Sequence, residues 1–268
     1  MARRINQDRQ FRDQMGSFCH LKDVPQRIVS LVPSQTELLF DLGLNDKIVG
    51  ITKFCIHPYA LTRQKVKIGG TKKFRFDIID KLRPDLIIGN KEENYQEGIE
   101  ILRQKYPVWM SDINDLNDAF NMMKSIGSML DKNMEVDSLI MQIAGGMNEV
   151  KSKFQGSVAY FIWKDPLMVV ASNNFIHNIL VEMGFTNVFE HRTRYPEISH
   201  QQLSGLNPDY ILLSSEPFPF KAKHFEEFQR MCPDSKVCIV DGEMFSWYGS
   251  RLLRAVNYFK NEFPQIIR

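Results

Sequence analysis

Short apolar runs alternate with amphipathic stretches through the first part of the chain. Residues 27–32, Arg-Ile-Val-Ser-Leu-Val, read as a buried strand that Pro33 ends, and Ser34 to Glu37 has the spacing of a capping box for a helix of about two turns. Gly43 stands where a helix C-cap glycine belongs, and residues 47–52 read as a second strand, giving the strand–helix–strand unit of a parallel sheet. Helical spacing returns from Phe76 to Leu82. Arg83-Pro84-Asp85 makes a turn, residues 86–89 are apolar enough for a buried strand, and a helix from about Glu97 and a strand around Trp109 follow. This alternation predicts an α/β lobe over residues 27–114.

The period then changes. Val136, Ile140, Ile143, Met147, Val150 and Phe154 recur at steps of four and three, with Gly156 beyond as a stop. Residues 115–154 read as one long helix or as two joined end to end; unbroken, they would span roughly 60 Å, with a kink at the Gly145-Gly146 pair. After this segment the earlier pattern comes back. Leu206-Asn207-Pro208-Asp209 and the apolar run behind it repeat Leu82-Arg83-Pro84-Asp85 and its run, so that Glu92 and Glu216 fall on equivalent positions, as do Asp77 and Gln201. A weaker echo pairs residues 37–44 with residues 178–185, each a helix ending in glycine. The sequence thus predicts an N-terminal arm (1–26), an α/β lobe (27–114), a linking helix (115–154) and a second α/β lobe (155–268). A ligand is expected in the cleft between the lobes, at the carboxyl ends of the strands.

Composition narrows the functional classes. The 268 residues are 43% hydrophobic and 25% charged, as in ordinary globular proteins, and 34 basic against 32 acidic residues leave a net charge of +2. No global field exists to hold nucleic acid. Apolar runs fall short of a membrane-spanning helix, and the first ten residues carry positive charge without an apolar segment behind it, so no export signal is expected within them. The four cysteines, Cys19, Cys55, Cys232 and Cys238, lack paired spacing and read as buried or free thiols.

Nucleophile-elbow, phosphate-loop and zinc-helix motifs are all missing, which points away from an enzyme. Metal ligation has only weak candidates in Cys55 with His57, and in His191. Aromatic residues are more informative. Phe54, Trp163, Tyr195, Phe218, Phe220, Phe245, Trp247 and Tyr248 stand outside the periodic apolar runs and could form flat cleft walls, or pack loops onto the lobes. Arg251 could hold an anionic group bidentately or pair with a carboxylate such as Glu243. Amides at Ser34 could bind an anion, although capping is the simpler reading.

The order of these segments, from Arg27-Ile-Val-Ser-Leu-Val-Pro-Ser34 with Glu37-Leu38, through Leu82-Arg-Pro-Asp85 and the long helix, to Leu206-Asn-Pro-Asp209, resembles the substrate-binding proteins of ABC importers for cobalamin, ferric siderophores and haem. The resemblance runs from about Arg27 to the C-terminus and is nearest to the cobalamin receptors. It implies two Rossmann-like lobes with parallel sheets joined by one backbone helix, a periplasmic or cell-surface location, and a monomer that hands a metal chelate to a permease and needs no cofactor of its own. By resemblance the ligand-binding residues are Phe54, Trp163, Tyr195, Glu243, Trp247, Tyr248 and Arg251, with Trp247 standing where the cobalamin receptors have a basic residue. The glutamates that dock such proteins onto permease arginines correspond to Asp77 and Gln201; Glu92, Glu93 and Glu216 could substitute. Cobalamin or a related corrinoid is the expected ligand. Haem, a ferric siderophore, or a cytoplasmic sensor or carrier role on the same fold are the alternatives.

Overall fold

The computed structural model describes residues 9–268, and residues 1–8, where most of the export-signal expectation falls, lie outside the described residues. The chain forms two compact units. One holds the described residues up to Ile113 with 117–140 and 248–251; the other holds 114–116, 141–247 and 252–268.

In the first unit, β1 (Arg9–Arg12) and β2 (Phe18–Leu21) make an antiparallel hairpin. They are followed by β3 (Ile28–Ser30), α1 (Pro33–Asp41), β4 (Ile48–Ile51), α2 (Tyr59–Thr62) and β5 (Val66–Lys67). A small hairpin of β6 (Gly69–Gly70) and β7 (Lys73–Phe74) leads to α3 (Phe76–Leu82), β8 (Leu86–Asn90), α4 (Gln96–Arg103) and β9 (Val108–Ser111). The sheet order is β5-β4-β3-β8-β9 and every pairing is parallel. Ile28, Val29, Leu86, Ile87 and Ile88 are fully buried, which is why these strands read as continuous apolar runs rather than alternating ones. The order switches direction between β3 and β8, the place where open parallel sheets leave a crevice beyond the carboxyl ends of their strands.

Two expectations are corrected here. Ser34 does not cap α1: the helix starts at Pro33, the cap position is Val32 with extended backbone, and no side chain caps it. Proline at the first helical position supplies the helical φ and removes one of the amides a cap would satisfy, and Glu37 is taken up elsewhere. The described part of the polar arm, residues 9–26, is not a separate segment. Cys19 and Leu21 are 2% exposed, Arg103 bonds to the buried Asp13 carboxylate, and the Gln14 amide donates to the Met110 carbonyl.

The segment between the two repeats is two helices, α5 (Leu116–Leu130) and α6 (Asn133–Val150). They are separated at Asp131, which has a φ of 55°, and the Lys132 amide closes the turn on the Gly127 carbonyl. The chain therefore breaks here and not at the glycine pair, where α6 runs on. Gly146 has a packing role: a Cβ there would stand 2.4 Å from Val256 Cγ1, whereas one on Gly145 would meet nothing within 4 Å.

The second unit is built from β10 (Ser157–Trp163), β11 (Leu167–Val169), α7 (Phe175–Met183), β12 (Thr186–Asn187), β13 (Glu197–Ile198) and α8 (His200–Leu206). Then come β14 (Tyr210–Ser214), α9 (Phe225–Met231), β15 (Lys236–Val240), α10 (Gly242–Ser246), α11 (Arg251–Asn261) and α12 (Phe263–Ile266). Its sheet runs β13-β11-β10-β14-β15, with β12 also alongside β10. β10, β14 and β15 are parallel, as the repeat predicts, and β11 and β13 add antiparallel pairings on the other side of β10. Strand β11 follows β10 after three residues, too few for the crossover a parallel partner needs.

The repeated Leu-x-Pro-Asp has the same physical role in both units. Arg83 and Asn207 each take left-handed backbone at the end of a seven-residue helix, with φ of 46° and 39°. The following aspartate then anchors the start of the neighbouring strand: Asp85 accepts from the Gln26 and Arg27 amides, and Asp209 accepts from the amide and hydroxyl of Ser157. Among the described residues no helix is long and apolar enough to cross a membrane.

Candidate functional site

At the carboxyl ends of β3, β8 and β9 the apolar strands give way to buried polar residues. Gln35 Nε2 donates to Ser111 Oγ at 2.5 Å, Asn90 Nδ2 donates to the same hydroxyl at 3.0 Å, and Asn94 Nδ2 donates to the carbonyls of Leu31 (3.3 Å) and Thr71 (3.2 Å). This network holds the β6–β7 hairpin against the strand ends. In front of it lies an open pocket of about 560 Å³ lined by Lys53, Phe54 and residues 69–75. Phe54 is 50% exposed, and the Lys53 ammonium sits 4.9 Å from its ring centroid. The first unit therefore does present Phe54 as an open aromatic surface beyond β4.

Cys55, next in sequence, turns inward. It is 1% exposed, its Sγ lies 3.1 Å from Thr36 Oγ1 and 3.2 Å from Thr52 Oγ1, and burial pushes its thiol up. Among the described residues no three of His, Cys, Asp and Glu come together to hold a metal ion; His57 is half-buried and His191 is exposed in the second unit.

Arg251 is corrected as a ligand clamp. Its guanidinium is 3% exposed and forks onto Glu37, Nε to Oε2 and Nη2 to Oε1, both at 2.7 Å. The carboxylate it grips bidentately is Glu37 of α1. Tyr248 is corrected as an open wall: it is 7% exposed, and burial pushes its hydroxyl well up. Asp77 is exposed in the first turn of α3, beside Arg75 at 3.3 Å, while Glu92 and Glu93 are half-buried just past β8.

In the second unit the strand ends carry aromatics too. Trp163, the last residue of β10, is 39% exposed and meets Phe218 edge to face at 5.7 Å, with Phe220 behind. Phe220 and Phe245 are 4% and 0% exposed and belong to the core, not to any wall. Trp247 is 8% exposed and is also corrected. Its indole Nε1 donates to Glu216 Oε1 at 2.9 Å, and Ser246 Oγ donates to the same oxygen at 2.8 Å. Glu216 is half-buried, as its equivalent Glu92 is, with one carboxylate oxygen taken up by these two donors. Burial pushes its carboxyl up against the pull of the Ser246 bond, and the nearby Glu243 carboxylate adds to the rise. Tyr195 is half-buried in the bend before β13, where Arg194 takes left-handed backbone and the Arg194 and Pro196 carbonyls accept from the Ala171 and Val169 amides. Gln201 is exposed at the second position of α8, as Asp77 is in α3.

Sequence reasoning missed the pocket's basic residues. Their signal is the run Gly69-Gly-Thr-Lys-Lys-Phe-Arg75, a hairpin with one lysine in its turn and the next opening its second strand, which carries no chemical motif on its own.

Each of the two α/β units thus leaves an aromatic side chain partly exposed at, or just beyond, the carboxyl end of a strand. The chain belongs to the periplasmic binding protein family, whose sequence profile matches residues 28–231. It is 23% identical over 254 residues to the uncharacterized ABC transporter substrate-binding lipoprotein YvrC of Bacillus subtilis, covering 88% of this chain and 79% of that one. It is 24% identical over 195 residues to a vitamin B12-binding protein of Vibrio campbellii, covering 70% of each. The periplasmic vitamin B12 binding protein BtuF of Vibrio cholerae shares the fold at a TM-score of 0.74 and 19% identity, over 88% of this chain and 95% of that one.

Proposed function

We propose that the protein is the substrate-binding component of an ABC importer, working outside the cytoplasmic membrane, and that it captures cobalamin or a related metal chelate without altering it. The observation that carries this reading is the exposed aromatic at the carboxyl end of a strand in each unit, Phe54 beyond β4 and Trp163 ending β10, on a chain whose relatives include vitamin B12-binding proteins. An aromatic face left half in water at a strand end stabilises a large flat ligand by the apolar area it then buries. Asp77 and Gln201, exposed on equivalent helices of the two units, are the proposed contacts to the permease, with Glu92 and Glu93 as further candidates in the first unit.

The test is a tryptophan-fluorescence titration of the purified protein with cobalamin, haem and ferric siderophores. A saturable change with one of them, weakened about tenfold by Phe54→Ala, is expected; no response to any removes the proposal. The absorbance spectrum of the released ligand should be unchanged, as a carrier requires.

A further inference from the structure

Charge is unevenly distributed along the chain. Eight lysines and arginines stand between Asp46 and Asp77 without one aspartate or glutamate among them, and the rest of the chain then holds 26 basic against 32 acidic residues. This stretch runs from β4 through β5, the edge strand of the first sheet, to the β6–β7 hairpin. Its loops are tied together: the Lys53 amide donates to the Gly69 carbonyl at 2.8 Å, and the Lys67 ammonium donates to the carbonyls of Cys55 (3.4 Å) and Thr62 (3.0 Å). Most of these contacts leave the charge standing. Lys65 and Lys72 donate to the carbonyls of Asn45 and Glu92, and the Arg63 guanidinium lies 5.3 Å from the Tyr59 ring centroid, whereas Arg75 has the Asp77 carboxylate beside it. Apolar side chains are interleaved with the cations. Of twelve large apolar residues that stand exposed among the described residues, four fall within the thirteen positions from Phe54 to Val66; Ile56 is 47% exposed, Tyr59 67% and Val66 45%.

Lysines at a sheet edge guard against pairing with a stray strand, which accounts for Lys65 and Lys67 around the two-residue β5 but not for the exposed aliphatic side chains among them. We propose that this edge of the first unit docks on an anionic lipid bilayer, its lysines and arginines meeting headgroup phosphates while Ile56, Tyr59 and Val66 enter the boundary between headgroups and acyl chains. Charge complementarity calls for an anionic partner, and an extended anionic surface with an apolar layer directly beneath its charges answers both halves of the patch. Nucleic acid answers only the charge and leaves Ile56 and Val66 in water. The patch meets the rim of the pocket at Lys53, so docking holds that pocket close to the membrane whichever chelate it takes.

Co-sedimentation of the purified protein with vesicles tests this, with phosphatidylglycerol mixed into phosphatidylethanolamine compared against phosphatidylcholine by itself. The wild type should bind the anionic vesicles, come off them between about 50 and about 500 mM salt, and stay in solution with phosphatidylcholine. Lys53→Gln with Arg63→Gln should weaken binding about fivefold for each charge removed, and Lys53→Arg with Arg63→Lys should keep it. Ile56→Asn with Tyr59→Asn should weaken it about tenfold at constant charge, a loss that attraction between charges does not produce. Circular dichroism melting checks that the variants fold, and the wild-type contrast between the two kinds of vesicle decides the matter if they do not. No binding to the anionic vesicles, equal binding to both kinds, affinity unchanged by either the glutamine or the asparagine pair, or a DNA oligonucleotide held more tightly than the anionic vesicles overturns the proposal. Each of these outcomes leaves the receptor reading standing, since the chelate titration tests that reading without any lipid.

Discussion

Glu37 and Arg251 are 214 positions apart, and each buries a full charge that the other satisfies through two bonds of 2.7 Å. Removing one partner takes two short bonds from the other in a buried place. Arg251→Leu or Glu37→Gln should therefore cost about 3–5 kcal/mol in chemical denaturation, while the double change to a well-packed apolar pair should recover much of it. Glu216 makes a different prediction. Its folded-state carboxyl is raised by burial, so the native state holds the proton over a pH range where the unfolded chain has released it. Its contribution to stability is then present below the ordinary glutamate range and lost as pH rises through the raised value. The difference in unfolding free energy between wild type and Glu216→Gln should change with that sign, and the emission of Trp247, bonded to the same oxygen, should titrate in the wild type only. None of this was legible in the sequence. The residue types at Glu37, Arg251, Glu216 and Trp247 are visible, but their pairing is set by tertiary contacts, and an arginine reads the same whether it faces a ligand or a buried carboxylate.

Elements were far more legible than sites, because they rest on local physics. The seven-residue helix ending before Pro-Asp, the buried strand after it, and the echo of both in the second half follow from periodicity and from the carboxylate that anchors the neighbouring strand. Asp85→Ala should remove the two bonds to the Gln26 and Arg27 amides and cost about 1 kcal/mol, read by thermal melting. Where local rules failed, a packing demand had overridden them. Gly145-Gly146 reads as a kink, yet α6 runs through it, since one glycine is exposed and the other admits Val256. Gly145→Ala should then stabilise the helix by up to about 1 kcal/mol, and Gly146→Ala should destabilise the protein by about 1–3 kcal/mol through overpacking. The mixed sheet of the second unit escaped for a similar reason: a short apolar run does not say which way its strand points.

For the whole molecule, two lobes were readable from the internal repeat, and membership of the periplasmic binding protein family agrees with the order of motifs along the chain. The exposed aromatics at Phe54 and Trp163 were among the residues singled out by their position outside the periodic runs. The charged side of the pocket was not, because lysines at a hairpin tip look like any solvated turn. A ligand that binds only the folded protein raises its stability by mass action, about 2.7 kcal/mol at a hundredfold excess over Kd, so the right chelate should lift Tm by several degrees and the wrong ones should not. The pocket wall itself is fastened before any ligand arrives. Asn94 bridges the carbonyl of Thr71, at the hairpin tip, to the carbonyl of Leu31 at the end of β3, and its own carbonyl oxygen accepts the Asn90 amide at 2.9 Å. A surface pinned in this way loses little freedom on binding, and the rate of capture is then set by encounter rather than by loop ordering. In Asn94→Ala the arrival of ligand should slow and become strongly temperature-dependent.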